Sequence, residues 1–322
     1  MIRLSLVIAT YNRAGLLTRT LQALATQRVE PDVDYEVIFV DDGSTDDTGA
    51  LITSAAASCD RLRYLRLDHT GSPGGPRNAG MRAATGEIII LIDDDVVPDA
   101  EFVQAHAAFH QAHQDEAEAA LGELYLDEAT RRDPMSLFHA FPYHEAAQAQ
   151  RLSYLFFWTC NVSLKSSFML RYGMFDEDAA LHPLEDMECG YRLFQAGLRL
   201  RFLPAARGCH LHQLRPDAIE RKGRRTGQAQ AALVRRVPDL ALQRRFGILT
   251  PEQPWPLRLL RRTRRLAFTV VDNPISHLLL RSAGAAGATR SRWSDAYYYL
   301  RFRRAMVEGF REARSASPAV RS

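Results

Sequence analysis

Asp93, Asp94 and Asp95 are three adjacent carboxylates at the end of the apolar run Ile88–Ile92. They repel one another unless a cation or a donor-rich ligand sits among them. Hard oxygen ligands of this kind suit Mg²⁺ or Mn²⁺ carrying a phosphate, and a solvated acidic turn is the plain alternative. Glu185 and Asp186 form a second carboxylate pair, which opens a helical pattern whose Met187, Gly190, Tyr191 and Phe194 share one face. Two imidazoles, His210 and His212, follow in Cys209-His210-Leu211-His212. A lone histidine is more often structural than a ligand.

The elements that must position these groups are legible from periodicity. Residues 4–8 form a continuous apolar strand, after which Leu17, Leu21 and Leu24 show helical spacing with Asn12 as the expected N-cap. Residues 35–40 form a second strand that ends in Asp41-Asp42-Gly43 before another helical stretch. A third strand at 62–67 leads through the Gly/Pro-rich residues 70–76 to a short helix at 77–84, and the strand ending in the three aspartates comes next. Strands alternating with helices imply an α/β fold of right-handed crossovers and a largely parallel sheet. Ligands of such sheets gather outside the carboxyl ends of the strands, where Tyr11, Asp42 and Asp93 all fall. Further on, residues 99–113 read as a helix and 119–126 as a strand. Residues 127–153 carry no clear period, 154–163 are aromatic and apolar around Trp158 and Asn161, and a strand at 198–203 stops at Pro204.

The chain has 322 residues, 46% of them hydrophobic, enough for one large domain or two smaller ones. Its four cysteines are far apart and include no Cys-x-x-Cys pair, so neither a disulfide framework nor a zinc site is expected and a cytoplasmic location is the default. The apolar N-terminus is too short for a signal peptide and reads as a strand. A net charge of +3 hides an asymmetry: residues 251–322 carry 14 Arg against 5 acidic residues, whereas residues 1–250 carry 27 basic against 33 acidic. The periodic strands end near residue 215, giving an expected boundary between a body at 1–215 and a helical, arginine-rich region at 216–322. Residues 256–271 have the pattern of an amphipathic basic helix, with Leu259, Leu260, Leu266 and Val270 opposite Arg258, Arg261, Arg262 and Arg265. That face could lie on the inner surface of a membrane, pack on the body or join a second copy in a homodimer. No recognisable fold accompanies its arginines, so nucleic acid is not an expected partner.

Four segments stand together in order: Ser5-Leu-Val-Ile-Ala-Thr-Tyr-Asn-Arg, Val40-Asp-Asp-Gly-Ser-Thr-Asp, Arg77-Asn-Ala-Gly with Thr85-Gly, and Leu91-Ile-Asp-Asp-Asp. This arrangement resembles the inverting glycosyltransferases of family two, over about residues 1–215. The resemblance implies a GT-A-type, Rossmann-like three-layer sandwich with a mostly parallel central sheet. It further implies that Ala9, Thr10 and Tyr11, with Arg13 beside them, meet the nucleotide. Asp42 would accept from a uracil-type imide, and Arg77 would sit near the ribose or diphosphate. Asp93 and Asp95 would hold the metal-diphosphate as the ends of an Asp-x-Asp motif, Asp94 would touch ribose or sugar, and His210 stands where relatives carry a further metal ligand. Trp158 and Asn161 resemble a wall facing donor sugar and acceptor. Glu185-Asp186 matches the pair that supplies the catalytic base, a role assigned to Asp186.

The implied reaction is transfer of a sugar from a nucleotide diphosphate, with a UDP-sugar as the expected donor and Mn²⁺ or Mg²⁺ as the cation. The acceptor is a hydroxyl on a saccharide, a lipid-linked molecule or another compound, as in cell-surface polysaccharide or glycoconjugate synthesis. Elementary chemistry asks for the same parts: a carboxylate to take the acceptor proton and neutralisation of a departing diphosphate. A nucleotidyltransferase would need a Gly-rich loop with Arg and Lys near the N-terminus, but residues 8–15 offer only Gly15 and no Lys. A non-catalytic sugar-nucleotide-binding or membrane-scaffold protein is the other alternative, against which Asp186 argues.

Overall fold

A computed structural model describes residues 1–139, 141–211, 214–246 and 291–316. The expected amphipathic helix at 256–271 and His212 lie outside the described residues. In chain order the elements are β1 (Ile2–Thr10), α1 (Ala14–Ala25), β2 (Val33–Asp41), α2 (Thr48–Ala57), β3 (Leu62–Arg66), α3 (Gly74–Ala83), β4 (Ile88–Ile92), β5 (Val96–Pro98), α4 (Phe102–Ala112) and β6 (Glu118–Tyr125). Then come α5 (Glu128–Arg132), α6 (Tyr143–Gln148), β7 (Asn161–Lys165), α7 (Ser166–Tyr172), α8 (Glu185–Gln195), β8 (Arg199–His210), α9 (Ile219–Arg236), α10 (Leu240–Arg245) and α11 (Arg292–Ala316).

The chain separates into two compact units. The first comprises residues 1–127, 141–179 and 185–212 and contains one eight-stranded sheet in the order β3-β2-β1-β4-β7-β6-β8-β5. Pairings β3-β2, β2-β1 and β1-β4 are parallel, as the strand-turn-helix repeats require. From β7 onward the sheet is mixed, because β7 runs antiparallel to both β4 and β6 while β6-β8 is parallel. Every residue of β4 is buried, which accounts for its unbroken Ile/Leu run: a central strand covered on both faces has no solvent side to make polar. In α3, Gly80 faces Val7 and Val40 so closely that a Cβ would collide with Val7, and the glycine lets the helix settle onto the sheet.

Glu36 of β2 ties the parallel half together. Its buried carboxylate accepts from Ser5 Oγ on β1 at 2.7 Å, from the amide and hydroxyl of Thr85 before β4 at 2.7 and 2.6 Å, and pairs with Arg63 on β3. Burial opposes its charge, but these donors outweigh burial and hold Glu36 down at about 2.

The second unit comprises residues 128–140, 180–184 and 213–322. Within it α9 packs along α11, burying Ile219, Ala231, Ala232, Leu233, Leu300 and Ala305, with Arg301–Glu220 and Arg224–Glu308 ion pairs along the flank. No helix among the described residues is long and apolar enough to cross a membrane.

Candidate active site

The site is assembled at the carboxyl ends of β1, β2 and β4. After β1 the chain turns at Asn12, whose φ of 52° lies in the left-handed region that asparagine tolerates. Asn12 does not cap α1 as its position suggests. Its side chain instead accepts from the Thr45 amide at 2.8 Å, while its own amide donates to Ser44 Oγ at 2.9 Å, lacing the β1–α1 turn to the β2–α2 turn. Thr10 is buried and Ala9 half-buried, and Tyr11 projects, 40% exposed. Its ring stacks on His69, with centroids 4.1 Å apart. Asp42 lies beside them with its carboxylate held by the 69–71 turn: Oδ1 accepts from Thr70 N and Oγ1, each at 2.8 Å, and Oδ2 lies 2.8 Å from His69 Nδ1. His69 was not flagged by any motif, because its role depends on two rings meeting across 58 residues of chain.

Asp93, Asp94 and Asp95 emerge from β4 as expected, but each has a different setting. Arg13 Nε lies 3.4 Å from Asp94 Oδ1 and its Nη2 3.9 Å from Asp95 Oδ2, and Thr20 Oγ1 of α1 donates to the Asp94 carbonyl at 3.2 Å. Asp93 takes Arg77 Nη2 at 3.1 Å. Burial pushes Asp94 up to about 7; Arg13 opposes this and Asp95 adds to it. Asp93 is raised as well, chiefly by burial against the pull of Arg77.

Arg77, almost fully buried, joins the two carboxylate groups that are furthest apart in sequence. While Nη2 meets Asp93, Nη1 donates to Glu185 Oε1 at 2.7 Å. Burial works against its charge, but Glu185 and Asp93 outweigh burial and keep the guanidinium above its usual value. Its neighbour Asn78 fastens α3 to the segment before α8, donating to Phe175 O at 3.0 Å and to Glu177 Oε1 at 2.8 Å. Glu185 and Asp186 therefore differ: Glu185 is buried and ion-paired, whereas Asp186 is half-buried at the first turn of α8 and accepts from the Met187 amide at 2.7 Å. Burial, with the Glu185 charge beside it, pushes Asp186 up to about 8 despite Arg77.

His210 reaches the cluster because β8 does not stop at Pro204 but continues to pair with β5, a strand that the sequence pattern did not reveal. Val96 stands opposite His210, and the Leu211 amide donates to Asp95 O at 2.8 Å. His210 Nε2 thereby comes to 3.2 Å from Asp95 Oδ1. Trp158 and Asn161 are not brought to an open wall. Trp158 is enclosed by Phe141, Tyr143 and Phe156 and donates to Leu155 O at 3.0 Å. Asn161 is completely buried and its amide is consumed by core partners. An aromatic-rich, apolar segment packs inward when it opens onto a sheet buried on both faces.

Among the described residues no three His, Cys, Asp or Glu side chains converge as a preformed metal cage. The donor set nevertheless fits Mg²⁺ or Mn²⁺, which is bound through one or two carboxylates together with substrate phosphates and waters rather than by a closed protein cage. Asp95 supplies such a carboxylate, with Asp93 on the same loop, and the His210 imidazole stands beside Asp95 as a nitrogen donor. Five carboxylates stand here against the guanidiniums of Arg13 and Arg77, and burial, with repulsion from neighbouring carboxylates added to it, raises Asp93, Asp94 and Asp186.

Residues 5–173 match the model of glycosyl transferase family 2. The chain belongs to that family. Similar proteins include validoxylamine A glucosyltransferase of Streptomyces hygroscopicus subsp. limoneus, 35% identical over 222 residues that make up 61% of this chain and 48% of that one. Hyaluronan synthase of Pasteurella multocida is 28% identical over 227 residues, 60% of this chain and 23% of that one. The chain thus spans about half or less of the length of these curated relatives. Among solved structures, S. aureus TarS residues 1–349 superposes with a TM-score of 0.56 at 20% identity, covering 98% of this chain and 91% of that one, and it is also known in complex with UDP and with UDP-GlcNAc. A mannosyltransferase from Pyrobaculum calidifontis in complex with GDP-Man and Mn²⁺ has a TM-score of 0.61 at 18% identity, over 96% and 87% of the two chains. At these identities the structural likeness establishes the GT-A fold. In this family 2 glycosyltransferase the carboxylate cluster therefore gathers residues from the ends of the parallel strands β1 and β4 together with α8 and β8.

Proposed function

We propose that this glycosyltransferase transfers a sugar from a nucleotide diphosphate, with a UDP-sugar as the donor, to a hydroxyl acceptor with inversion. The division of labour between Glu185 and Asp186 carries the reading: Glu185 is buried and held by Arg77, whereas Asp186 beside it is the more exposed of the two, with its proton affinity raised into the range of a general base. In the reaction Asp186 accepts the proton of the acceptor hydroxyl as its oxygen bonds to the anomeric carbon, and the bond from that carbon to the diphosphate oxygen breaks. The nucleoside diphosphate leaves from the opposite face. Tyr11 and His69 offer the base a ring platform beside Asp42, and Arg13 and Arg77 hold the acidic loop in register. Asp93, Asp95 and His210 are the groups that would hold Mn²⁺ or Mg²⁺, which when bound supplies Lewis-acid neutralisation of the diphosphate.

The relatives' donors motivate the test. Release of nucleoside diphosphate is measured against UDP-, GDP- and dTDP-sugars with and without Mn²⁺, in the presence of saccharide and lipid-linked acceptors. Release with a UDP-sugar that needs Mn²⁺ and is quickened by one acceptor class supports the reading. Tight UDP binding with no release under any condition would point to the non-catalytic alternative. The basic stretch 251–322, with 14 Arg against 5 acidic residues, suits peripheral attachment to an anionic membrane or contact with a second copy. Co-sedimentation with anionic vesicles that is absent with neutral ones and weakened by salt supports attachment, and no binding to either at low salt sinks it.

A further inference from the structure

Two histidines of α4 that no motif singles out, His106 and His110, are buried against β7. His106 Nδ1 lies 2.8 Å from Ser163 Oγ and His106 Nε2 lies 3.0 Å from Asn161 Oδ1. His110 Nε2 is 2.9 Å from the same Ser163 Oγ, and Asn161 Nδ2 donates to Ala206 O at 2.9 Å. Burial pushes the two imidazoles down to about 4 and about 3, so near neutral pH each carries a single N–H. The direction of every bond then follows. An amide oxygen can only accept, so His106 holds its proton on Nε2. Its bare Nδ1 must take the Ser163 hydroxyl proton, and the Ser163 oxygen takes the Nε2 proton of His110. Donation thus runs in one sense from His110 through Ser163, His106 and Asn161 to the Ala206 carbonyl.

That chain ends at an irregularity of the sheet. Gly122 of β6 pairs with Leu203 of β8, but the next residue, Glu123, pairs with Arg207, leaving Pro204, Ala205 and Ala206 outside the ladder. Gly122 has no Cβ where one would collide with the Asn161 amide and the Ala206 carbonyl, so the asparagine fills the bulge. Beyond it β8 resumes pairing, and His210 arrives opposite Val96 and beside Asp95. Side chains alternate along a strand, so a slip of one residue at the bulge would turn His210 to the other face. Asn161 also pairs with Ile92, the residue before Asp93, and so touches both the strand that ends in the three aspartates and the strand that ends in His210.

We propose that Asn161, held between His106 and the Ala206 carbonyl, is a positioning residue that sets the β8 bulge and thereby delivers His210 to Asp95. The consequence for cation binding rests on the function proposed above; the brace itself does not. Asn161→Thr tests it with a side chain that suits a strand, whose hydroxyl can still accept from His106 but ends short of Ala206. Ser163→Ala is the comparator, since it breaks the chain upstream and leaves the Asn161–Ala206 bond. Two readouts are taken: the ring ¹⁵N resonances of His210 in metal-free protein, and Mn²⁺ binding in the presence of UDP by electron paramagnetic resonance. In Asn161→Thr the His210 resonances should move toward those in Asp95→Ala, and Mn²⁺ affinity should fall by about tenfold or more, the usual worth of an outer partner of a metal ligand. Ser163→Ala should lower the melting temperature and leave both readouts near wild type. An unmoved His210 in Asn161→Thr, or equal movement in both variants, overturns the brace. Wild-type protein that takes up no Mn²⁺ while His210 still moves in Asn161→Thr upholds the brace and refutes the cation reading instead.

Discussion

If Asp186 is the base, Asp186→Asn should separate chemistry from binding, and the size of the effect can be worked from the site. The wild-type carboxyl is pushed up to about 8 by burial and by Glu185, and it must be ionised to take the acceptor proton. Each pH unit below that value removes about nine-tenths of the competent form, so kcat/KM, which reports the free enzyme, should rise about tenfold from pH 7 to its plateau. The variant should lose a factor of about 10²–10⁴ in kcat, equivalent to roughly 3–5 kcal/mol, and lose the pH slope with it. Donor affinity by calorimetry should stay within about twofold, because an amide keeps the shape and the contact with Met187. A stability check follows from the same value. The folded state binds this proton more tightly than the unfolded chain, so Asp186 costs stability as pH rises from about 4 to about 8. Asp186→Asn should therefore melt at or above the wild-type temperature at pH 9. Parallel losses in affinity and turnover, or a pH slope that survives the substitution, would refute the assignment.

Other substitutions probe the supports of the site. Arg77→Met leaves Glu185 and Asp93 facing each other without the guanidinium and should cost about 3 kcal/mol in urea denaturation, more than a surface pair could; a cost below 1 kcal/mol would mean that both carboxylates simply take up protons. Glu36 is held down at about 2, so its contribution is present above about pH 4.5 and is lost as pH falls toward 2. Glu36→Gln should accordingly cost about 2–3 kcal/mol at pH 7 and about half as much at pH 3, and an equal cost at both would point to shape rather than charge. Asp95→Ala should abolish Mn²⁺ binding and turnover while keeping a cooperative melt, since it removes one of several like charges; wild-type turnover in Mn²⁺ would exclude it as a ligand.

Periodicity carried a large part of the architecture. The strand-turn-helix units of residues 1–92, the burial of β4 on both faces and the placement of Tyr11, Asp42 and the three aspartates at one edge all follow from spacings within a few residues. Local rules failed where a distant partner decided the outcome. Asn12 reads as a helix cap, yet it bonds to Thr45; Pro204 reads as a strand end, yet it falls in a bulge that tolerates the missing amide, and β8 continues to His210. Trp158 and Asn161 read as a binding wall until the aromatic cluster and the Ala206 carbonyl claim them.

The amino-acid sequence alone determined which chemical groups this glycosyltransferase owns and at which strand ends they leave the sheet, because apolar period and turn chemistry act over a few residues. Only the tertiary structure decided how the five carboxylates are paired and buried. Arg77 engages Glu185 across 108 residues and leaves Asp186 the more open, and the resumed pairing of β8 sets His210 against Asp95. Ionic pairing and burial depend on separation in space, and the spacing of residues along the chain does not encode it.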